Sequence, residues 1–373
     1  MNRRTSIATA TLLAALCGAA AAQSSVTVYG LIDATAGRFT GPATGVNSLD
    51  KALYKLDSGG LSTSYWGLRG NEDLGGGLAA SFELAGFFRP DTGATGRGDA
   101  IPAPVNVGAD TYWSRAAWVA LGSTSLGRVR LGNVTSLMFF NTITSNAFGD
   151  STVFGPVNLV TFIGSPLSGG TGWTNSVVYD SPSMAGLTLS AAVSAAETQG
   201  GRNAAVRAAY AQGPFTASFA WQNVKKNPLT FADGTSSNNT TSWQLGSSYD
   251  FTVLKLFAHV GNIQNDGTET APLDIGYRVW DISASVPAGA GRLLAGYAQR
   301  KTSDAVGPVP ASAAGGNVER SVFTMGYDYN LSKRTDVYAL VMNDKTETNT
   351  LPGPPKVVSA SATSYGLGVR HRF

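Results

Sequence analysis

The chain has 373 residues, a formal net charge of +3 and a mean hydropathy of zero. Charged residues make up 14% of it, against roughly one quarter in ordinary soluble domains, and 45 residues are glycine. So small an excess of basic residues predicts no clustered basic face, and therefore no nucleic-acid partner. Neutral hydropathy combined with so few charges is unusual for a soluble globular protein.

The first 22 residues have the character of an export signal. Arg3 and Arg4 provide a positive start, residues 7–20 are apolar or small, and small residues at 20–22 form a cleavage site. We therefore predict a cleaved signal peptide over residues 1–22 and a mature chain over residues 23–373. A membrane helix is the alternative, but the apolar run is shorter than the roughly 20 residues that a bilayer requires.

Cleavage at this position would also remove Cys17, the one cysteine in the sequence. A lipid anchor on Cys17 is disfavoured because Leu16, directly before it, is bulky for a lipidation site. The mature chain is then expected to have no disulfide, no thiolate nucleophile and no cysteine ligand for a metal.

The first predicted strand, 26–39, alternates between two kinds of face. One face is mixed in character and carries Tyr29 and Asp33, whereas the other is small and apolar from Val28 to Ala36. This pattern is typical of a strand with water on one side and lipid on the other.

The same alternation recurs along the chain and predicts sixteen strands in all. They cover residues 26–39, 64–71, 78–88, 111–121, 127–131, 176–179, 186–194, 204–211, 215–223, 242–250, 253–261, 277–286, 292–301, 321–330, 336–342 and 362–373. No segment after residue 22 is apolar and long enough for a membrane helix. A chain of this kind can span a bilayer only as a closed barrel, in which every backbone group is paired between strands.

The connections between these strands alternate between short and long. Short ones lie at 73–77, 123–125, 181–185, 212–214, 288–291 and 332–334, and long ones at 40–62, 89–110, 134–174, 223–241, 262–276, 302–320 and 343–361. A soluble β-sandwich has no reason to place its long loops at every second connection, whereas an outer-membrane barrel does. We therefore predict an all-β fold, a transmembrane antiparallel β-barrel.

The last predicted strand repeats the two-sided pattern. Tyr365 and Phe373 stand at the two ends of a largely apolar face, and Arg370 and Arg372 stand on a small, basic face. Aromatic residues at both ends of an outward face are typical of a strand that crosses two headgroup regions.

Five stretches in this order resemble the general, trimeric, sixteen-stranded porins of Gram-negative bacteria, especially the betaproteobacterial branch. They are SVTVYG at 25–30, WGLRGNEDLGGG at 66–77, NSVVYDSP at 175–182, LSKRT at 331–335 and RHRF at 370–373. The resemblance implies a homotrimer in the outer membrane, in contact with its lipid and lipopolysaccharide, and no cofactor. It also implies passive diffusion of ions and small hydrophilic solutes, a third long loop (134–174) folded into the lumen, and an assembly signal at Phe373 and Tyr365 that the barrel-assembly machinery reads.

The same resemblance and the strand faces nominate residues that line the pore. These are Tyr29, Asp33, Tyr65, Arg69, Arg115, Asn133 and Asp150. Arg115 matches a family arginine, whereas Tyr65 and Asn133 stand where the family commonly has arginine. The third loop carries one acid, Asp150, and no base, which predicts a weakly charged constriction and weak ion selectivity. Simple solvation of Asp33, and a turn-forming role for Asp150, are the alternatives.

Three other functions remain to be weighed. A substrate-selective channel would use the aromatic residues of the third loop as a stacking track, although these rings equally suit packing of the loop onto the wall. A cell-surface adhesive or structural barrel would use the external loops. An enzyme is disfavoured because His259 and His371 are the only histidine bases, and neither a Gly-x-Ser-x-Gly motif nor a metal-ligand spacing occurs.

Overall fold

The computed structural model describes residues 25–41, 52–96, 111–162, 168–197, 201–225, 229–230, 236–237, 239–266, 275–302, 317–350 and 356–373. The predicted signal peptide and parts of the long connections lie outside these residues. Within them, none of the helices has the length and apolar character needed to cross a bilayer.

Nineteen strands and two helices make up the described chain. The strands are β1 Ser25–Phe39, β2 Leu53–Ser58, β3 Tyr65–Gly75, β4 Leu78–Phe87, β5 Ala116–Ser123, β6 Gly127–Thr135, β7 Gly172–Asp180, β8 Leu187–Ser194, β9 Asn203–Gln212, β10 Phe215–Val224, β11 Leu229–Thr230, β12 Ser236–Ser237, β13 Asn239–Asp250, β14 Lys255–Asp266, β15 Ile275–Ala288, β16 Gly291–Thr302, β17 Asn317–Asn330, β18 Thr335–Thr350 and β19 Lys356–Arg372. The helices are α1 Leu137–Thr144 and α2 Pro156–Thr161.

Seventeen of these strands form one closed antiparallel sheet, and β11 and β12 form a separate small hairpin. Closure comes from β1, which pairs with β19 through eight residue pairs from Leu31–Arg372 to Arg38–Tyr365. On its other side β1 pairs with β3 through its first half and with β2 through its second half. Because β2 and β3 together occupy one position in the wall, the barrel has sixteen positions, which confirms the predicted fold. Strand β2 lies within residues 40–62, where the sequence predicted only a loop.

The strand alternation sorts side chains between lipid and lumen. In β13, for example, Trp243 and Leu245 point outward and are exposed, whereas Ser242 and Gln244 point inward and are buried. The opposite chemistry on neighbouring positions follows from the two-residue period of a strand. A continuous exposed apolar surface of this kind would promote aggregation in water, but it fits a hydrocarbon environment.

Two belts of exposed aromatic residues mark the limits of the apolar surface. One belt lies beside the short turns and contains Tyr179, Phe215, Tyr249, Phe251, Tyr329 and Phe373. The other lies six to eight residues further up the tilted strands, about 20 Å away, and contains Trp243, Trp280, Phe323 and Tyr365. Paired belts of this kind sit at the two membrane interfaces, and Phe373 and Tyr365 occupy opposite ones.

The short turns explain the glycine clusters. Gly75, Gly76 and Gly77 connect β3 to β4, and all three have positive φ angles of 81°, 59° and 80°. Residues with a Cβ adopt such angles only at a cost, so the turn itself requires glycine here. No phosphate-binding loop is needed to account for this cluster.

Several strands run further than the hydrophobic pattern predicts. β18 continues to Thr350 and β19 begins at Lys356, whereas the predicted strands ended at 342 and began at 362. Residues 343–347 are polar on both faces, because this part of the hairpin extends beyond the aromatic belts into water. Backbone pairing therefore continues after the apolar alternation has stopped.

Candidate functional site

The third long loop, between β6 and β7, folds into the lumen and narrows it. Its two helices pack against the inner wall from β9 to β17. Thr142 Oγ1 donates to Gln244 Oε1 at 2.8 Å, and Arg320 Nη1 donates to the backbone oxygen of Leu159 at 3.0 Å. These contacts fix both helices to the wall inside the barrel.

Local sequence signals explain where the two helices begin. Ser136 caps α1, since its hydroxyl oxygen accepts a hydrogen bond from the backbone N–H of Phe139 at 3.2 Å. Pro156 occupies the first position of α2, where its fixed φ and missing N–H cost nothing. The loop is therefore shaped by its own residues and then anchored by the wall.

The aromatic residues of the loop mostly pack it in place. Phe148, Phe154 and Trp173 are buried, and Phe139 makes an edge contact with Phe162 at 5.0 Å between ring centroids. Phe140 is the exception among the loop aromatics and is exposed. This arrangement favours the packing interpretation of the loop aromatics over a stacking track made by the loop itself.

A cavity of about 420 Å³ lies between the loop and the wall, at the narrow part of the lumen. Asp150 lines it from the loop, and Tyr65 and Arg115 line it from the wall. Four further basic side chains line the same cavity, namely Lys255, Arg292, Arg370 and Arg372. The constriction thus gathers five cationic groups around one loop carboxyl group.

Four of the strands beside this cavity carry a chain of ion pairs. Asp328 pairs with Arg292 at 3.0 Å and with Arg370 at 3.2 Å. Asp336 pairs with Arg370 at 3.0 Å and with Arg372 at 2.8 Å. Three guanidinium groups therefore share two carboxylates.

The arginines and the aspartates in this series of ion pairs differ in their access to water. The side chains of Arg292 and Arg372 are 45% and 44% exposed, whereas those of Asp328 and Asp336 are 3% and 2% exposed. The carboxylates lie behind the guanidinium groups, so the surface that faces the lumen is basic.

Arg115 belongs to a second group of five side chains on the wall. Its Nη1 lies 3.0 Å from Glu83 Oε1, and its guanidinium lies 4.0 Å from the ring centroid of Tyr65. The Tyr29 hydroxyl also donates to Glu83, and Arg69 lies 4.8 Å from the ring centroid of Tyr29. Four of the nominated residues, Tyr29, Tyr65, Arg69 and Arg115, are thus brought together around one carboxylate.

Asp150 faces the cavity from the third loop. Its carboxylate accepts a hydrogen bond from the Ser62 hydroxyl at 3.0 Å. Burial raises the pKa of the Asp150 carboxyl group, and the Ser62 hydroxyl and the positive charge of Arg115 partly oppose that increase. The group therefore stays protonated to a higher pH than an exposed aspartate.

Asp33 is a correction to the list of pore-lining residues. It lies on the inward face of β1 as predicted, but it is fully buried and does not line the cavity. Its carboxylate accepts hydrogen bonds from the backbone N–H groups of Gly60, Leu61 and Ser62 at 3.2, 3.0 and 2.8 Å, and from the hydroxyl group of Tyr338. Asp33 thus anchors the segment between β2 and β3.

Asn133 makes its side-chain hydrogen bonds with the backbone just before β5. Its amide nitrogen donates to the backbone oxygens of Trp113 and Ser114 at 3.0 and 3.2 Å. It lies next to an irregularity in the pairing of β6 with β7 and does not line the cavity. Asn133 ties the start of β5 to β6.

Lys255, Arg292, Arg370 and Arg372 were absent from the nominated set. The alternation places Arg370 and Arg372 on the small, basic face of the last strand, so the sequence predicts their inward position. Lys255 and Arg292 each lie at or next to the start of a strand that follows a short turn. Because inward and outward positions alternate along a strand, counting from that turn identifies both side chains as inward-facing.

A closed antiparallel barrel with an apolar outer belt, an inward-folded loop and a charged constriction is a transmembrane pore. The model of the Gram-negative porin family matches residues 8–349. The chain therefore belongs to the Gram-negative porin family.

Relatives and solved structures agree with that assignment. The chain is 30% identical to outer membrane porin protein 32 of Delftia acidovorans over 100% of both chains, and 28% identical to an outer membrane porin protein of Bordetella pertussis over 98% of both. Among solved structures it is similar to an anion-selective porin from Comamonas acidovorans, with a TM-score of 0.74, 25% identity and coverage of 94% and 100%. A trimer form of the outer membrane protein OmpT of Vibrio cholerae shares the fold, with a TM-score of 0.64 at 16% identity and coverage of 94% and 99%.

The molecule is thus an outer-membrane channel for the passive diffusion of ions and small hydrophilic solutes. Its relatives are porins, and a channel selects solutes through the shape and charge of its lumen.

Proposed function

We propose that this porin has a weak preference for anions. One observation carries the proposal: at the constriction, Arg292 and Arg372 face the lumen while the carboxylates that neutralise them, Asp328 and Asp336, are buried behind them. A permeating ion interacts most strongly with the nearest charges, because the interaction energy falls with distance and with screening by water. Anions therefore meet an attractive surface and cations a repulsive one.

The preference is weak because most of the charge is paired. Arg115 forms an ion pair with Glu83, and three arginines share Asp328 and Asp336. The excess of positive charge at the constriction is consequently small, in keeping with a channel for many solutes. The similarity to a solved porin described as anion-selective supports the sign of the preference.

The test is the reversal potential of the purified mature protein in a planar bilayer under a KCl gradient. We expect a potential of the sign that indicates chloride preference. Arg372→Gln should move it towards zero or towards cation preference, because an exposed lumen charge is lost. Lys333→Gln, in the turn between β17 and β18, is the matched control and should leave the potential unchanged. A potential that indicates potassium preference in the unmodified channel would refute the proposal.

We also propose that the channel is a homotrimer without enzymatic activity, surrounded by outer-membrane lipid and lipopolysaccharide. The exposed apolar face of β1, from Val28 to Ala36, is small enough to pack against a second copy. Phe373 would serve as the signal that the barrel-assembly machinery reads, with Tyr365 as its partner on the same outward face.

Assembly can be tested without disturbing closure of the barrel. The backbone N–H and C=O of Phe373 pair with Gly30 at 3.1 Å each, and these bonds persist in Phe373→Ser. We expect this variant to show a severalfold loss of assembled trimer in the outer membrane, measured on native gels. Tyr249→Ser, another exposed belt aromatic, should assemble normally, and equal assembly of all three proteins would contradict an assembly signal at Phe373.

A further inference from the structure

The inner wall formed by β5 to β9 carries a group of aromatic and guanidinium side chains apart from the constriction cavity. We name this group the Trp118 site, and it consists of Trp118, Arg128, Arg130, Phe140, Asp180 and Arg207. None of these residues lines the cavity beside Asp150. All but Phe140 lie on inward positions of β5, β6, β7 and β9, and Phe140 reaches the wall from α1.

At least one guanidinium group lies close to each of the two rings in the Trp118 site. Arg128 and Arg130 lie 5.7 and 5.8 Å from the ring centroid of Trp118. Arg207 lies 4.8 Å from the ring centroid of Phe140. These distances are within the range of cation–π attraction, so the rings and charges hold one another in position.

The strand pairing places the two ring–arginine groups along one line. Arg128 lies opposite Asp180, Asp180 lies opposite Ser190, and Ser190 lies opposite Arg207. Three strand spacings separate Arg128 from Arg207, which amounts to about 14 Å between backbones. The two groups therefore lie on the same part of the inner wall.

The Trp118 site has more positive than negative charge. Asp180 pairs with Arg128 at 3.3 Å and with Arg130 at 3.0 Å. Arg207 instead donates to Asn141 Oδ1 at 3.2 Å, a neutral acceptor. Within the part of the chain that the structure describes, three guanidinium groups therefore share one carboxylate.

The groups that would receive a solute are accessible from the lumen. Phe140 is 43% exposed and the Arg128 side chain is 45% exposed. Trp118 packs against a buried apolar cluster that includes Leu137 and Val178, and its side chain is itself only partly buried. The cluster thus positions the ring of Trp118 without burying it completely.

We propose that the Trp118 site binds aromatic carboxylates as they pass through the channel, an inference that rests on the proposed passive, anion-preferring function. Guanidinium groups bind a carboxylate through two parallel hydrogen bonds, and they also stack on flat rings. A solute that carries both a carboxylate and an aromatic ring satisfies both parts of the site at once. An aliphatic carboxylate satisfies only the charged part, and a neutral aromatic compound only the ring.

The test measures block of chloride current through the full-length mature channel in a planar bilayer. Benzoate is compared with cyclohexanecarboxylate, which has the same charge and nearly the same size but no aromatic ring. We expect benzoate to reduce the current at a concentration at least about threefold lower, because an aromatic contact adds affinity beyond buried area. Benzylammonium, an aromatic cation, should not block at these concentrations.

Two variants test the site and one serves as the control. In Trp118→Leu and in Phe140→Leu, the concentrations of benzoate and of cyclohexanecarboxylate that block the current should become nearly equal. Trp280→Leu removes an aromatic ring from the lipid-facing side of β15, and benzoate should still block this variant at a lower concentration than cyclohexanecarboxylate. If Trp118→Leu does not assemble because its ring supports a buried cluster, the exposed Phe140 decides the question.

The proposal is overturned if benzoate and cyclohexanecarboxylate block the unmodified channel equally, or if both variants retain the difference. It is also overturned if Trp280→Leu loses the difference or if benzylammonium blocks like benzoate. These outcomes are separate from the sign of the reversal potential in KCl, which tests the proposed anion preference by itself.

Discussion

Single carboxyl groups in this porin have very different roles although all lie inside one lumen. Asp33 accepts three backbone hydrogen bonds and is fully buried, whereas Asp150 faces the constriction. The difference arises from the segments that cover them and not from the residue type.

Replacement of Asp33 should destabilise the barrel. Asp33→Ala leaves three buried N–H groups and the Tyr338 hydroxyl without their acceptor, and each unsatisfied group costs about 1–3 kcal/mol. We expect a clear fall in the temperature at which the folded band disappears on heated detergent gels. Asp33→Asn retains one carbonyl oxygen, so its unfolding temperature should fall less. Glu72→Ala, at an exposed position of β3, is the control and should leave the unfolding temperature unchanged. No change in Asp33→Ala would contradict the anchoring role.

Asp150 should make the anion preference depend on pH. Burial raises the pKa of its carboxyl group, so the group loses its negative charge at a higher pH than the ordinary value near 3.9. As pH falls through this raised pKa, the constriction becomes more positive and the chloride preference should increase. Reversal potentials measured at a series of pH values should show this step, and Asp150→Asn should lack it. A step of the same size in Asp150→Asn would assign the effect to another group.

Strand alternation predicts which way these side chains point but not what surrounds them. The inward positions of Tyr29, Tyr65, Arg69 and Arg115 follow from strand alternation, which is a local property. The environment of Asp33 depends on Tyr338, which is 305 positions away, and on a turn whose path has no local signal. Burial by a distant segment is therefore the part of the site that the sequence could not predict.

At the scale of elements, the third loop determines the width of the pore. Its position depends on small residues in the wall, such as Gly296, whose missing side chain leaves space for the ring of Phe148. The sequence predicted the inward fold of this loop only through the family resemblance. The polar wall residues that hold it, such as Gln244, give no separate signal because many other inward strand positions are polar as well.

Filling the space at Gly296 should displace the loop towards the open lumen. A Cβ at this position would lie 2.8 Å from the Phe148 ring, which is closer than two carbon atoms can approach. We therefore expect Gly296→Val to lower the single-channel conductance. Ala295→Val, on the lipid-facing side of the same strand, is the control and should conduct normally. Equal conductance of the two variants would show that the loop is not held by this contact.

At the scale of the whole molecule, three properties of the chain agree with one another. The alternating strands, the two aromatic belts and the closure of β1 against β19 together define a membrane-spanning barrel. The sixteen wall positions were predictable because alternation and loop lengths repeat along the entire chain. The basic constriction was less predictable, because four of its five cations come from strands β14, β16 and β19, which are distant in sequence from the loop that they face.

Single-channel recording in a planar bilayer under a KCl gradient tests whether this barrel is an open, passive and weakly anion-preferring channel. We expect large stepwise currents, grouped in threes for a trimer, with a reversal potential that indicates a small chloride preference. An absence of conductance, or a reversal potential that indicates potassium preference, would contradict this function.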